Sequence, residues 1–148
     1  MRHSVPLGRI AFVLLSATAA CDPYWRVVVT ASLARSLPTQ CVASALDTIT
    51  HSPHIIEEAV HYPPKGAHGT LFWLGGATPY GTVKQIEYPD SSAALETQVG
   101  RIPGRRYNRA EADTLGREMG EALLRVRDAC GGSGLPGLPS YRVKRAPL

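Results

Sequence analysis

Asn108–Cys130, NRAEADTLGREMGEALLRVRDAC, carries the strongest structural signal in the chain. Asn108 followed by Glu111 has the spacing of a capping box, in which each side chain accepts from the other residue's backbone N–H. Ala112, Leu115, Met119, Ala122, Leu123, Val126 and Cys130 then recur at helical spacing. Asp113 to Arg117 and Glu121 to Arg125 are acid-first pairs four residues apart, the favourable order on a helix surface. Gly131-Gly132 supplies a left-handed exit. Gly116 and Gly120 each cost about 1 kcal/mol against Ala inside a helix. Beside Ala112 they form a smooth strip, which predicts close approach of the sheet or of a first helix.

Working outward, Thr39–Thr50 predicts a shorter helix. Pro38 suits its start, Thr39 can cap it, and Cys41, Val42, Ala45, Leu46 and Ile49 make one apolar stripe. Before it, Trp25–Ala31 is β-branched, with Trp25, Val27, Val29 and Ala31 on one face. Ile55–Tyr62 is compatible with a capped helix or with a strand; the turn residues Pro63–Gly66 and the strand-like Thr70–Leu74 favour a hairpin. Thr82–Tyr88 alternates, and Ala94–Ile102 can form a further strand. This order predicts an α+β domain: a mostly antiparallel sheet of about four or five strands with both helices on one face. Its span is residues 25–132, and the Pro/Gly-rich, basic residues 133–148 read as a disordered tail.

The front of the chain has a different character. Arg2, His3 and Arg9 precede the uncharged run Ile10–Ala20, which ends in small residues before Cys21. Eleven residues fall short of the ~20 that span a bilayer. Basic, apolar and small-residue regions in this order form a secretory signal. Ending at Cys21, the segment resembles a bacterial lipoprotein signal, whose lipobox places small residues before a lipid-modified cysteine. The resemblance covers residues 1–22 only. It implies a signal peptide over 1–20, lipid attachment at Cys21 and, over 21–24, a very short tether. Ala17-Thr18-Ala19 also fits an ordinary secretory cleavage site, which would leave a secreted or periplasmic soluble protein. In enterobacterial lipoprotein families an Asp after the lipidated Cys signals retention, so Asp22 implies the periplasmic face of the inner membrane.

Removing residues 1–20 takes away Arg2 and Arg9, and the net charge falls from +4 to +2. Export and so small a charge make nucleic acid a poor candidate partner. Three cysteines are an odd number for an exported chain; lipidation of Cys21 would leave Cys41 and Cys130 to pair. An oxidising compartment permits that bond. Closing so long a loop would stabilise the fold by roughly 4–5 kcal/mol in the chain-entropy model.

Candidate chemistry is sparse. His54, Glu57, Glu58 and His61, within the span His51–His68, are of the types that ligate zinc or copper, without a recognised spacing. Arg101, Arg105, Arg106 and Arg109 are the densest run of one charge, suited to phosphate or carboxylate. With the basic tail they could hold the domain against an anionic leaflet. There is no G-x-S-x-G, and Gly131–Gly134 lacks the Lys-Ser/Thr of a phosphate loop, so no cofactor is implied. The expectation is a small non-enzymatic cell-envelope lipoprotein acting by binding or structural support. Its partners would be the membrane, through its N-terminal lipid, and an envelope protein or anionic head groups. A periplasmic metal-binding protein and a secreted hydrolase inhibitor are the alternatives.

Overall fold

Strand β1, Trp25–Leu33, sets the frame: Val27, Val29, Ala31 and Leu33 are all buried, while Arg26 lies on the other side, exposed. A computed structural model describes residues 25–50, 54–74, 81–99 and 107–147. After β1 come α1 (Thr39–Thr50), β2 (His54–Tyr62), β3 (Ala67–Leu74), β4 (Thr82–Glu87), β5 (Ala93–Val99), α2 (Arg109–Ala129) and β6 (Arg142–Pro147). The strands make one sheet in the order β2-β3-β4-β5-β1-β6, every neighbouring pair antiparallel. The fold is α+β as expected, with six strands rather than four or five. No described helix is long and apolar enough to cross a membrane.

Two crossovers follow from this order. β5 and β6 both flank β1 antiparallel, so they run parallel to each other, and parallel strands need a long connection. α2 supplies it. α1 does the same between β1 and β2, which lie four places apart. Both helices pack on one face, where Val42 and Leu46 of α1 and Met119, Leu123 and Val126 of α2 meet Val29, Phe72 and Leu95. The residual space among Leu46, Leu74, Val83, Met119 and Leu123 is about 10 Å³. That is too small for more than one water, so this space is packing and not a ligand pocket.

Each end of α2 has a local cause. Asn108 Oδ1 accepts from the Glu111 N–H at 2.9 Å and Glu111 Oε2 from the Asn108 N–H at 2.9 Å, completing the capping box. Past Cys130, Gly131 takes φ +67° and the Gly132 N–H donates to the Arg127 carbonyl at 2.9 Å, ending α2. The ambiguous Ile55–Tyr62 segment is β2, hairpinned to β3 through Pro63–Gly66. A bulge between Glu57 and Val60 holds Ala59 at φ +58° and interrupts the ladder on this edge strand.

One expectation is overturned. Residues 142–147 are not a disordered tail but strand β6, with Thr30 opposite Arg142 and Val29 opposite Val143. The domain therefore extends to Pro147. The free edge of β1 offers a row of N–H and C=O groups that this segment satisfies. Asp113 is also diverted from its expected helix partner, pairing with Arg145 of β6 at 2.9 Å.

Candidate functional site

The expected metal set does not assemble. His54 and His61 are seven residues apart on extended β2, which separates their backbones by about 23 Å. His61 lies opposite His68, while His54 lies opposite Leu74 at the other end of the hairpin. Glu57 instead accepts from the Trp73 indole N–H at 3.4 Å, and Glu58 is exposed. Among the described residues no three His, Cys, Asp or Glu side chains are grouped to hold a metal ion. A strand spreads residues that a helix would have gathered, and β2 is a strand. Of the arginine run, Arg109 is exposed at the first position of α2; Arg101, Arg105 and Arg106 lie outside the described residues, as do Cys21 and Asp22.

The cysteine pairing is as expected. Cys41 in the first turn of α1 and Cys130 at the end of α2 are disulfide-bonded, with Cα atoms 5.7 Å apart. The two helices run antiparallel, which puts the start of α1 beside the end of α2.

A polar cleft of about 400 Å³ lies where the β1–α1 loop crosses the ends of β3 and β4, lined by Arg35, Ser36, His68, Glu87 and Tyr88. The Ser36 hydroxyl donates to Glu87 Oε1, and His68 Nε2 lies 3.2 Å from Glu87 Oε2. The carboxylate thus stands between hydroxyl and imidazole. A nucleophile relay needs the imidazole in the middle, so this order does not activate Ser36. Beside it, Gln85 is buried and doubly bonded to the Leu37 backbone, its Oε1 accepting at 2.9 Å and its Nε2 donating at 2.8 Å. Together these contacts fasten the loop to the sheet.

The remaining feature is the helix-free face of the sheet. Residues directly opposite in an antiparallel pair share a face. Arg26, Val28 and Thr30 of β1 therefore share this outward face with Ala146, Lys144 and Arg142 of β6. Arg26, Arg142 and Lys144 are exposed. Alternate residues of one strand lie about 7 Å apart, so the three cations form a close group. Arg26 donates to the neutral Gln98 amide at 2.5 Å, and Glu96, opposite Thr30, is engaged by Lys84 at 3.5 Å. Arg142 and Lys144 have no acidic partner among the described residues. Arg145 points to the helix side and is neutralised by Asp113. The charge and composition of this segment alone suggest a tail; the alternation of Tyr141, Val143 and Arg145 against Arg142 and Lys144 is the signal of a strand.

Comparison with family models, with curated proteins and with solved structures finds no match for the chain.

Proposed function

We propose that the chain is a small cell-envelope lipoprotein, held by a lipid on Cys21 at the periplasmic face of the inner membrane and acting non-enzymatically by binding or structural support. The observation that carries this reading is the Cys41–Cys130 bond, which uses two of the three cysteines and leaves Cys21 over. A structural disulfide fits an exported protein. The leftover cysteine is the one that follows an apolar run and small residues. Strand β1 starts at Trp25, so a lipid at Cys21 would keep it close to the bilayer.

Metabolic labelling with a fatty-acid analogue tests the anchor. Wild type takes up label and Cys21→Ala does not; an unlabelled wild type would end this reading. Membrane fractionation of Asp22→Ser against wild type tests the location, and an unchanged distribution would leave Asp22 without a sorting role.

A further inference from the structure

We propose that the outward side of the β1–β6 edge, formed by Arg26, Arg142 and Lys144, docks on anionic phospholipid head groups and lays this edge of the sheet against the bilayer. The inference rests on the reading of Cys21 as the anchor and adds to it an orientation.

Charge complementarity is the first argument. Three like charges are gathered on one exposed patch, two of them without an acidic partner among the described residues. Folding alone does not favour such a grouping, whereas a surface of phosphates does; guanidinium groups bind phosphate oxygens in pairs, and Lys adds a point charge. The contrast with Arg145 is informative. It has the same residue type on the same strand, faces the helices, and is given an internal acid. The outward pair is not.

Position is the second argument. Four residues of extended chain reach at most about 14 Å, so Trp25 would lie that close to a lipid on Cys21. β6 runs antiparallel to β1 with Pro147 opposite Trp25, which places Lys144 opposite Val28. Val28 is three residues along the strand from Trp25, about 10 Å. The cations are thus beside the end of the domain nearest the anchor. The exposed acids Glu57 and Glu58 are on β2, the opposite edge of the sheet, about 24 Å away. An anionic leaflet would attract the first edge and repel the second.

Each cation near an anionic leaflet changes the bound-to-free ratio by about fivefold. The chain's three lysines provide the readout: Lys144 is in the patch, Lys84 is on β4, and Lys65 is in the β2–β3 turn at the far end of the far edge. The processed protein, in whichever form cells yield it, is placed with phosphatidylglycerol-containing or pure phosphatidylcholine vesicles and treated with an amine reagent that does not cross membranes. Lys144 should be protected only with phosphatidylglycerol, Lys65 should stay reactive, and salt should abolish the difference. Arg26→Gln should reduce the protected-to-reactive ratio about fivefold, and Arg26→Gln with Arg142→Gln about 25-fold. Arg117→Gln with Arg125→Gln, an equal loss of charge on the exposed side of α2, should leave it unchanged. Urea midpoints near wild type confirm that the variants fold.

Equal labelling of Lys144 in both vesicle types would overturn the proposal. So would equal protection of Lys65, or an equal effect of the α2 pair. Protection of Lys144 by a co-purified protein without phosphatidylglycerol would overturn it in favour of a protein partner. The fatty-acid label is read separately: labelled protein with an unprotected Lys144 leaves the anchor standing and removes the docking face.

Discussion

Gly120 of α2 packs directly against the ring of Tyr141: a Cβ at Gly120 would sit 2.4 Å from the nearest ring carbons. One turn earlier, a Cβ at Gly116 would meet Val143 at 2.7 Å. The two glycines that weaken α2 as an isolated helix are therefore the places where β6 and its lead-in residue pack on it. The predicted smooth strip exists, and what approaches it is the segment that local composition marks as a tail.

Gly120→Ala makes this measurable. Alanine favours the helix by about 1 kcal/mol, while overpacking costs about 1–3 kcal/mol. The expected outcome is a net loss of up to about 2 kcal/mol in urea unfolding, against the helix preference. In a Tyr141→Ala background the same change should become stabilising by up to about 1 kcal/mol. A Gly120→Ala that stabilises both backgrounds equally would show that Tyr141 does not pack there.

Gln85 is the interior residue with most to lose. Replacing it by Leu strips a buried N–H and a buried C=O of Leu37 of their partners. At about 1–3 kcal/mol for each unsatisfied group, Gln85→Leu should cost roughly 2–6 kcal/mol in urea unfolding. Ser36→Ala removes a part-buried bond to Glu87 in the same loop and should cost less than about 1 kcal/mol. The reverse order would show that the loop is held by the Ser36–Glu87 contact instead.

The outward face also sets an alkaline limit. Burial first, then Glu57 and Glu96, push the Tyr62 phenol above its ordinary 10.0. The Tyr62 hydroxyl is buried without a hydrogen-bond partner among the described residues, which agrees with burial as the leading cause. Burial, Glu96 and Asp90 do the same to Tyr88. A phenol raised in the folded state ionises first in the unfolded chain. Its contribution is complete below the ordinary value and is lost as pH rises through the folded one. Ultraviolet titration should show Tyr62 and Tyr88 ionising late, and Glu96→Gln should bring both down, since it removes a charge common to them. If Glu96→Gln moved neither phenol, burial together with Glu57 at Tyr62 and Asp90 at Tyr88 would have to account for the raised values.

Local order was legible to the extent that local chemistry caused it. α1 spans Thr39–Thr50 as its stripe predicts, and the Asn108–Glu111 capping box starts α2 where the sequence places it. The four buried positions of β1 continue the alternation read from Val27, Val29 and Ala31. The histidine and glutamate positions were legible as residues but not as geometry. Whether His54, Glu57, Glu58 and His61 gather depends on β2 being a strand, and short apolar runs with mixed charges do not settle that. β6 was illegible because the strand it pairs with, β1, lies more than a hundred residues earlier in the chain, and its Val143 is covered only once it lies over Gly116 of α2.

The sequence by itself determined the two helices, the strand character of β1, the hairpin chemistry at Pro63–Gly66 and the cysteines that would pair. Each follows from contacts within a few residues or from cysteine parity. Only the tertiary structure decided that Arg142–Pro147 closes the sheet, that Gly116 and Gly120 are docking positions, and that Arg26, Arg142 and Lys144 share one face. The β1–β6 relations join residues about 110–120 positions apart, and strand register, which no local pattern encodes, brings them together; the glycine contacts follow from where β6 then lies over α2.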